Sequence, residues 1–192
     1  MTTKIEAVKN VFATAALTQA EIKLQAESAM NAARETDNVA EAASFKAQFQ
    51  KAQTHEKFNE ALSSMSDKAV SVMNKYKIDA EALSNQSREM KKRSIAILEA
   101  VATNSFVQDK ALDAVLHVLA AKRSDKLTIS TIQNEMQHET DTQASYFKRC
   151  AVFFKIAQYS SSEKALSFNY EAAMLRDLMS IYTTHTSVEA SE

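Results

Sequence analysis

Between residues 5 and 33, apolar side chains recur at alternating intervals of three and four residues, which is the spacing of one helical face. The pattern predicts a first helix over residues 3–36, and most of the later positions on this face are alanines. Small residues let two helices approach closely but contribute little apolar area per turn. We predict that this face is an assembly seam, formed by Ile5, Val8, Phe12, Ile22, Ala26, Ala29 and Ala33.

A second long helix is predicted over residues 39–76, because the same spacing resumes after Asp37 and Asn38. Asp and Asn tolerate turns and cap the helix that follows them. The two helices are expected to form an antiparallel hairpin arm over residues 1–76. Two helices alone give each seam a single partner, so the arm would gain stability from a second hairpin or from a partner protein.

The composition changes after residue 80, from alanine-rich to rich in Leu, Ile and Phe. Asp79 is a candidate cap for a third helix that runs to about residue 102, and a fourth helix is predicted over residues 108–123. We predict an all-α protein, in which the arm precedes a compact helical domain over residues 80–183 and a polar tail over residues 184–192.

The stretch from Lys126 to Phe154 predicts two helices around a polar turn. Thr128 can cap the first helix, residues 138–141 make the turn, and the second helix starts near Thr142. Alternating apolar residues at Leu166, Phe168 and Tyr170 allow a short hairpin after it. Residues 106–182 are therefore compatible with a helix-turn-helix core and a winged-helix arrangement.

The charge balance disfavours nucleic acid as a partner without excluding it. The chain has 23 basic and 24 acidic residues, whereas a DNA-binding surface must neutralise several phosphates. Asp141, Thr142, Gln143 and Ser145 would occupy the positions that read bases, and they carry no positive charge. The candidate anion or nucleic-acid patch consists of Lys91, Lys92, Arg93, Lys122, Arg123, Lys148 and Arg149.

The absence of glycine and proline excludes several classes of enzyme. Ordinary usage would give about 13 glycines and about 10 prolines in a chain of this length. P-loop, Rossmann and α/β-hydrolase motifs all require glycine, so none of them can be present. The lack of both residues also favours long, uninterrupted helices.

No other constellation indicates catalysis or a cofactor. Glu135 and His138 have the Glu-x-x-His spacing of di-iron bundles, but a second copy of that motif is missing. The single Cys150 lies in an apolar helix and is interpreted as a structural thiol. We therefore expect no cofactor, no metal site and no enzymatic activity.

The favoured function is that of a non-enzymatic structural or assembly protein, which acts through helix-mediated oligomerisation or by docking onto a larger complex. Viral capsid scaffolds and accessory proteins of secretion machines represent this class. The alternative is a winged-helix nucleic-acid-binding regulator that dimerises through its N-terminal hairpin. No apolar run reaches the length of a membrane span. We expect a cytoplasmic location, or one within a virion or assembly intermediate, with no membrane partner.

Overall fold

The computed structural model describes residues 3–106, 109–122, 126–136 and 141–189. The protein is 76% helical, and the described ranges contain nine helices and one small three-stranded sheet. The predicted all-α class is therefore confirmed. The elements are, in chain order, α1 (Lys4–Glu35), α2 (Val39–Ser63), α3 (Asp67–Lys75), α4 (Ala80–Ser84), α5 (Arg88–Thr103), α6 (Lys110–Lys122), β1 (Lys126–Thr128), α7 (Ile129–Glu135), α8 (Asp141–Phe153), β2 (Ala157–Ser160), β3 (Ala165–Phe168) and α9 (Ala173–Glu189).

The first two helices form an antiparallel hairpin, as the sequence predicts. The turn lies at the predicted position, where Asp37 has a φ of 51° and Asn38 caps α2 by accepting a hydrogen bond from the Glu41 amide. Lys23 Nζ is 2.5 Å from a carboxylate oxygen of Glu56 halfway along the hairpin. This ion pair fixes the register in which the two helices run past each other.

The predicted second helix is interrupted, which corrects the sequence interpretation. It ends at Ser63, and α3 begins at Asp67 with Ser66 as its cap. Glu99 of α5 accepts hydrogen bonds from the Ser66 amide and hydroxyl, each at 2.7 Å. A long-range carboxylate therefore satisfies the main chain where the helix stops, so the break depends on tertiary structure.

The predicted third helix is also divided in two. Asp79 caps its first part, α4, as expected, by accepting a hydrogen bond from the Ala82 amide. This part ends at Ser84, and α5 starts at Arg88. Helix α5 is the central element of the molecule, because it packs against α2 and α3 on one side and against α8 and α9 on the other.

The C-terminal part contains α7 and α8, followed by the hairpin of β2 and β3. Residues 138–140 of the turn predicted between the two helices lie outside the described ranges. Thr128 caps α7, as predicted, by accepting a hydrogen bond from the Thr131 amide. The sheet has the strand order β1–β3–β2, and both pairings are antiparallel. These elements follow one another in the order α6–β1–α7–α8–β2–β3, and this part of the chain is called the winged-helix region below for that order alone. Strand β1 was not predicted, because a strand of three residues with one buried side chain, Leu127, is too short to show an alternation of apolar and polar residues.

One cluster of buried apolar residues joins the base of the hairpin to the winged-helix region. It includes Phe12 of α1, Met73 of α3, Leu98 of α5 and Phe147 of α8. The predicted boundary at residues 76–80 is therefore not a gap in the core.

Helix α9 closes the far side of this core and continues beyond the predicted end of the domain. Its Asp177 accepts hydrogen bonds from Lys75 Nζ at 2.6 Å and from the Tyr76 hydroxyl, which ties α9 to α3. The helix runs to Glu189, so it includes the first residues of the predicted polar tail. Threonine hydroxyls along this last part, such as that of Thr184, bond to carbonyls one turn earlier.

Candidate functional site

The predicted assembly seam is used largely within the hairpin itself. Phe12, Ala26 and Ala33 are buried, while Ile5, Val8 and Ala29 are half-buried. The seam shares its side of α1 with Lys23, which is paired with Glu56 of α2. Ile22 is the exception, because it is exposed beside α2 and lines a groove. Most of the seam is therefore not available to a second molecule.

A second apolar stripe on α1 lies outside this seam. Ala13, Leu17, Ala20 and Leu24 follow one another at intervals of four, three and four residues, which is the spacing of a coiled-coil face. Leu17 is 67% exposed and Leu24 is 61% exposed. Sequence reasoning missed this stripe because the longer alanine seam on the same helix gave the more extended pattern, although the spacing was visible.

The basic triplet on α5 does not form one surface. Lys92 is exposed, but Lys91 is fully buried and Arg93 is only 7% exposed. Arg93 Nη1 lies 3.1 Å from Asp109 Oδ1 in a nearly buried ion pair. Lys91 and Arg93 therefore do not belong to a solvent-facing anion patch.

The remaining members of that patch lie in the winged-helix region. Arg123 falls outside the described residues, and Lys122 ends α6 with an undescribed side chain. Lys148 Nζ lies 4.2 Å from the ring centroid of Tyr159 on β2. The Arg149 guanidinium carbon lies 6.0 Å from the ring centroid of Tyr146 one turn earlier. Each of these cations thus contacts an aromatic face.

Helix α8 and the residues after it expose a basic face. From Ala144 to Lys155 the sequence has three basic residues, Lys148, Arg149 and Lys155, and no acidic residue. Within the described residues, neither Lys148 nor Arg149 forms an ion pair with a carboxylate. Asp141 begins this helix, although its side chain and those of Thr142 and Gln143 are not described.

Cys150 is buried, as predicted for a structural thiol. Burial raises the pKa of this thiol to about 12, and the negative charge of Asp109 adds to the effect. A thiol with that pKa is protonated at neutral pH, and the thiolate is the nucleophilic form. The environment of Cys150 therefore opposes nucleophilic chemistry.

A groove that sequence reasoning did not find runs along one side of the hairpin. It has a volume of about 830 Å³ and lies between α1 and α2, with α4 closing one end. His55 and Asn59 of α2 line it, and both are bonded to the buried ammonium group of Lys91. These contacts join residues more than 30 positions apart, so no local pattern could have indicated them.

The described ranges contain no group of three His, Cys, Asp or Glu side chains arranged to hold a metal ion. His138 of the Glu-x-x-His motif lies outside those ranges. Of the helices described, none combines the length and apolar character needed to cross a membrane.

No family model matches the chain, and no curated protein or solved structure is significantly similar to it.

Proposed function

We propose that this is a non-enzymatic assembly protein, and that its N-terminal hairpin associates with the hairpin of a second copy. The observation that carries this proposal is the stripe of Ala13, Leu17, Ala20 and Leu24 on α1, in which both leucines are exposed and both alanines are half-buried. Leucines seven residues apart lie on one face of a helix, as they do in a coiled-coil interface. Two copies could place these faces against each other and remove four leucines from water.

The position of the stripe supports association through the hairpin rather than through the core. Among the described residues, the exposed large hydrophobic side chains are Leu17, Ile22, Leu24, Val39, Phe106 and Val152, and the first four belong to the hairpin. Leu17 and Leu24 share one face of α1, and exposed apolar side chains grouped in this way are typical of interaction surfaces. The hairpin interior is largely alanine, so the arm gains little from its own packing and would benefit from a further layer.

Light scattering coupled to size-exclusion chromatography tests this proposal. A chain carrying both Leu17→Glu and Leu24→Glu should associate at least tenfold more weakly than wild type, because each buried leucine contributes about 1.5–3 kcal/mol. The matched control carries Gln25→Glu and Ala32→Glu, two exposed positions on α1 outside the stripe. If wild type is monomeric throughout the concentration series, or if both variants associate alike, self-association through this stripe is wrong.

The second candidate is a winged-helix nucleic-acid binder that dimerises through the same hairpin. It is favoured by the topology of the C-terminal part together with the basic and aromatic face of α8. Lys148 and Arg149 could contact phosphates, and Tyr146 could stack on a base. The acidic Glu139 and Asp141 near the start of α8 weigh against base reading in a major groove.

Fluorescence anisotropy with labelled duplex and single-stranded DNA, at low and moderate salt, tests this candidate. Binding should weaken as salt rises, and Arg149→Ala should reduce both the affinity and the slope of that dependence. Lys92→Ala, at an exposed lysine on α5, is the control and should leave binding unchanged. The absence of binding at low salt, or equal losses in the two variants, would exclude α8 as a nucleic-acid surface.

A further inference from the structure

Lys91 is a buried cation held by two neutral side chains. Its side chain is fully inaccessible to solvent, and Nζ lies 2.7 Å from Asn59 Oδ1 and 3.2 Å from His55 Nδ1. Within the described residues, no acidic side chain forms an ion pair with it. Buried charges in proteins are normally paired with an opposite charge, so an ammonium held only by neutral groups is unusual.

The ammonium group fixes the orientation of both of its partners. An ammonium has only donors, so Asn59 must turn Oδ1 towards it, and the Nδ2 donors then point away. His55 must likewise accept through Nδ1, which places its proton on Nε2. Burial, together with the charges of Lys91 and Lys51, lowers the pKa of His55, and this favours the neutral ring. Both side chains line the groove.

The groove has the dimensions and polarity of a small-molecule site. Its volume of about 830 Å³ lies within the usual range for such sites. Val11, Ala15 and Ile22 give it an apolar side, and Ser84 of α4 and the next residue, Asn85, add polar groups. The groove thus combines an apolar side with the two side chains that hold the buried Lys91 ammonium group.

We propose that this groove binds a small organic acid, whose carboxylate accepts hydrogen bonds from His55 Nε2 and Asn59 Nδ2 above the Lys91 ammonium. The bound carboxylate supplies the negative charge that Lys91 otherwise lacks. Lys51 adds a second positive charge at the rim, whereas Glu81 lines the groove with a negative one. That balance favours a singly charged carboxylate over a doubly charged phosphate. This site is independent of the Leu17 and Leu24 stripe.

Acetate is the smallest probe of the site, and the histidine ring signals in NMR spectra report its binding. Titration with sodium acetate should shift the His55 signals to saturation, with sodium chloride at the same ionic strength as the reference. His117 serves as an internal control, because it is exposed and bonded to Tyr182 on another part of the molecule. Equal shifts at His55 and His117, or tighter saturation by inorganic phosphate than by acetate, would overturn the proposal.

Asn59→Asp provides the sharpest variant, because it places a carboxylate of the protein itself beside Lys91 with almost no change in shape. Acetate should no longer shift the His55 signals of this variant, and its melting temperature should rise. Lys91→Met removes the charge at similar length and should weaken acetate binding at least tenfold. Lys57→Met, at an exposed position of α2, should bind acetate like wild type. Retained binding in both Asn59→Asp and Lys91→Met would show that the site does not hold the anion.

Discussion

Arg93 and Asp109 join the two halves of the molecule through a nearly buried ion pair, in which Arg93 Nη1 lies 3.1 Å from Asp109 Oδ1. Asp109 Oδ1 also accepts hydrogen bonds from the amides of Ala111 and Leu112, so it caps α6 as well. A single carboxylate oxygen thus holds the start of the winged-helix region against α5.

Asp109→Ala should therefore be strongly destabilising. Removing one partner of a buried ion pair typically costs about 3–5 kcal/mol, because the charge that remains buried loses that interaction. Urea unfolding followed by circular dichroism measures the change. Glu171→Ala, which removes the exposed partner of Arg176, is the control and should leave stability unchanged. A loss below about 1 kcal/mol for Asp109→Ala would contradict the role assigned to this pair.

The burial of Lys91 predicts a specific dependence of stability on pH. Burial lowers the pKa of its ammonium group from 10.5 to about 8. Between these two values the unfolded chain holds a proton that the folded chain has lost, so the free energy of unfolding rises with pH. Over the whole interval between these two pKa values, the free energy of unfolding should rise by about 3 kcal/mol. Other groups also titrate in this range, so the relevant quantity is the difference between wild type and Lys91→Met.

The difference in the free energy of unfolding between wild type and Lys91→Met should change steadily between pH 8 and pH 10.5. Below pH 8 it should be constant. Chemical unfolding at a series of pH values measures it. A parallel series with Lys57→Met controls for the loss of an exposed lysine from the same region. A constant difference across the whole range would show that Lys91 titrates as an ordinary lysine.

The hairpin seam should not tolerate larger residues. Ala26 is buried between α1 and α2, so Ala26→Leu must push the helices apart or force strained rotamers, at a cost of about 1–3 kcal/mol. Ala32→Leu, an exposed position on the same helix, should change stability by less than about 0.5 kcal/mol. Thermal unfolding of the two variants tests the expectation. Equal melting temperatures would mean that the seam is loosely packed.

Five of the described residues have a positive φ although none of them is glycine. Glycine should stabilise some of these positions. Asp37, Lys77, Asn104 and Lys155 each follow a helix, and Lys164 lies in the β2–β3 turn. After α3, the Ile78 amide bonds to the Met73 carbonyl around Lys77, as in a Schellman C-cap. A lysine with positive φ is strained by roughly 1–2 kcal/mol relative to its preferred conformation.

Lys77→Gly should therefore raise the free energy of unfolding by about 0.5–1 kcal/mol, despite the greater entropy of glycine in the unfolded chain. Lys68→Gly places the same substitution inside α3, where it should lower stability by about 1 kcal/mol. Urea unfolding of both variants separates the two effects. A loss of stability in Lys77→Gly would mean that the left-handed conformation carries little strain.

Local signals predicted much of this fold. The turn at Asp37 and Asn38 and the helix caps at Asp79 and Thr128 occur where the sequence places them. Each depends on a side chain and a main-chain amide only a few residues apart. The breaks before Ser66 and after Ser84 were missed because the apolar spacing continues through them, while the Glu99 carboxylate that satisfies Ser66 comes from a distant helix.

The candidate sites were harder to predict, because they too depend on contacts between residues that are far apart in the sequence. A lysine within a charged run usually faces water, and nothing near Lys91 in the sequence indicates that Asn59 and His55 enclose it. The spacing of the stripe that contains Leu17 is visible in the sequence. Its exposure to solvent could not be predicted, because the sequence does not specify which face of α1 packs against α2.

The length of α1 also gives the protein a fixed geometry. Its 32 residues span about 48 Å, and neither glycine nor proline interrupts them. The base of this helix is anchored in the core through Phe12, while the turn at Asp37 lies at its far end. The length of α1 therefore sets the distance between the turn and the core. If copies of the chain associate through their hairpins as proposed, the spacing between their cores follows from the length of this one helix.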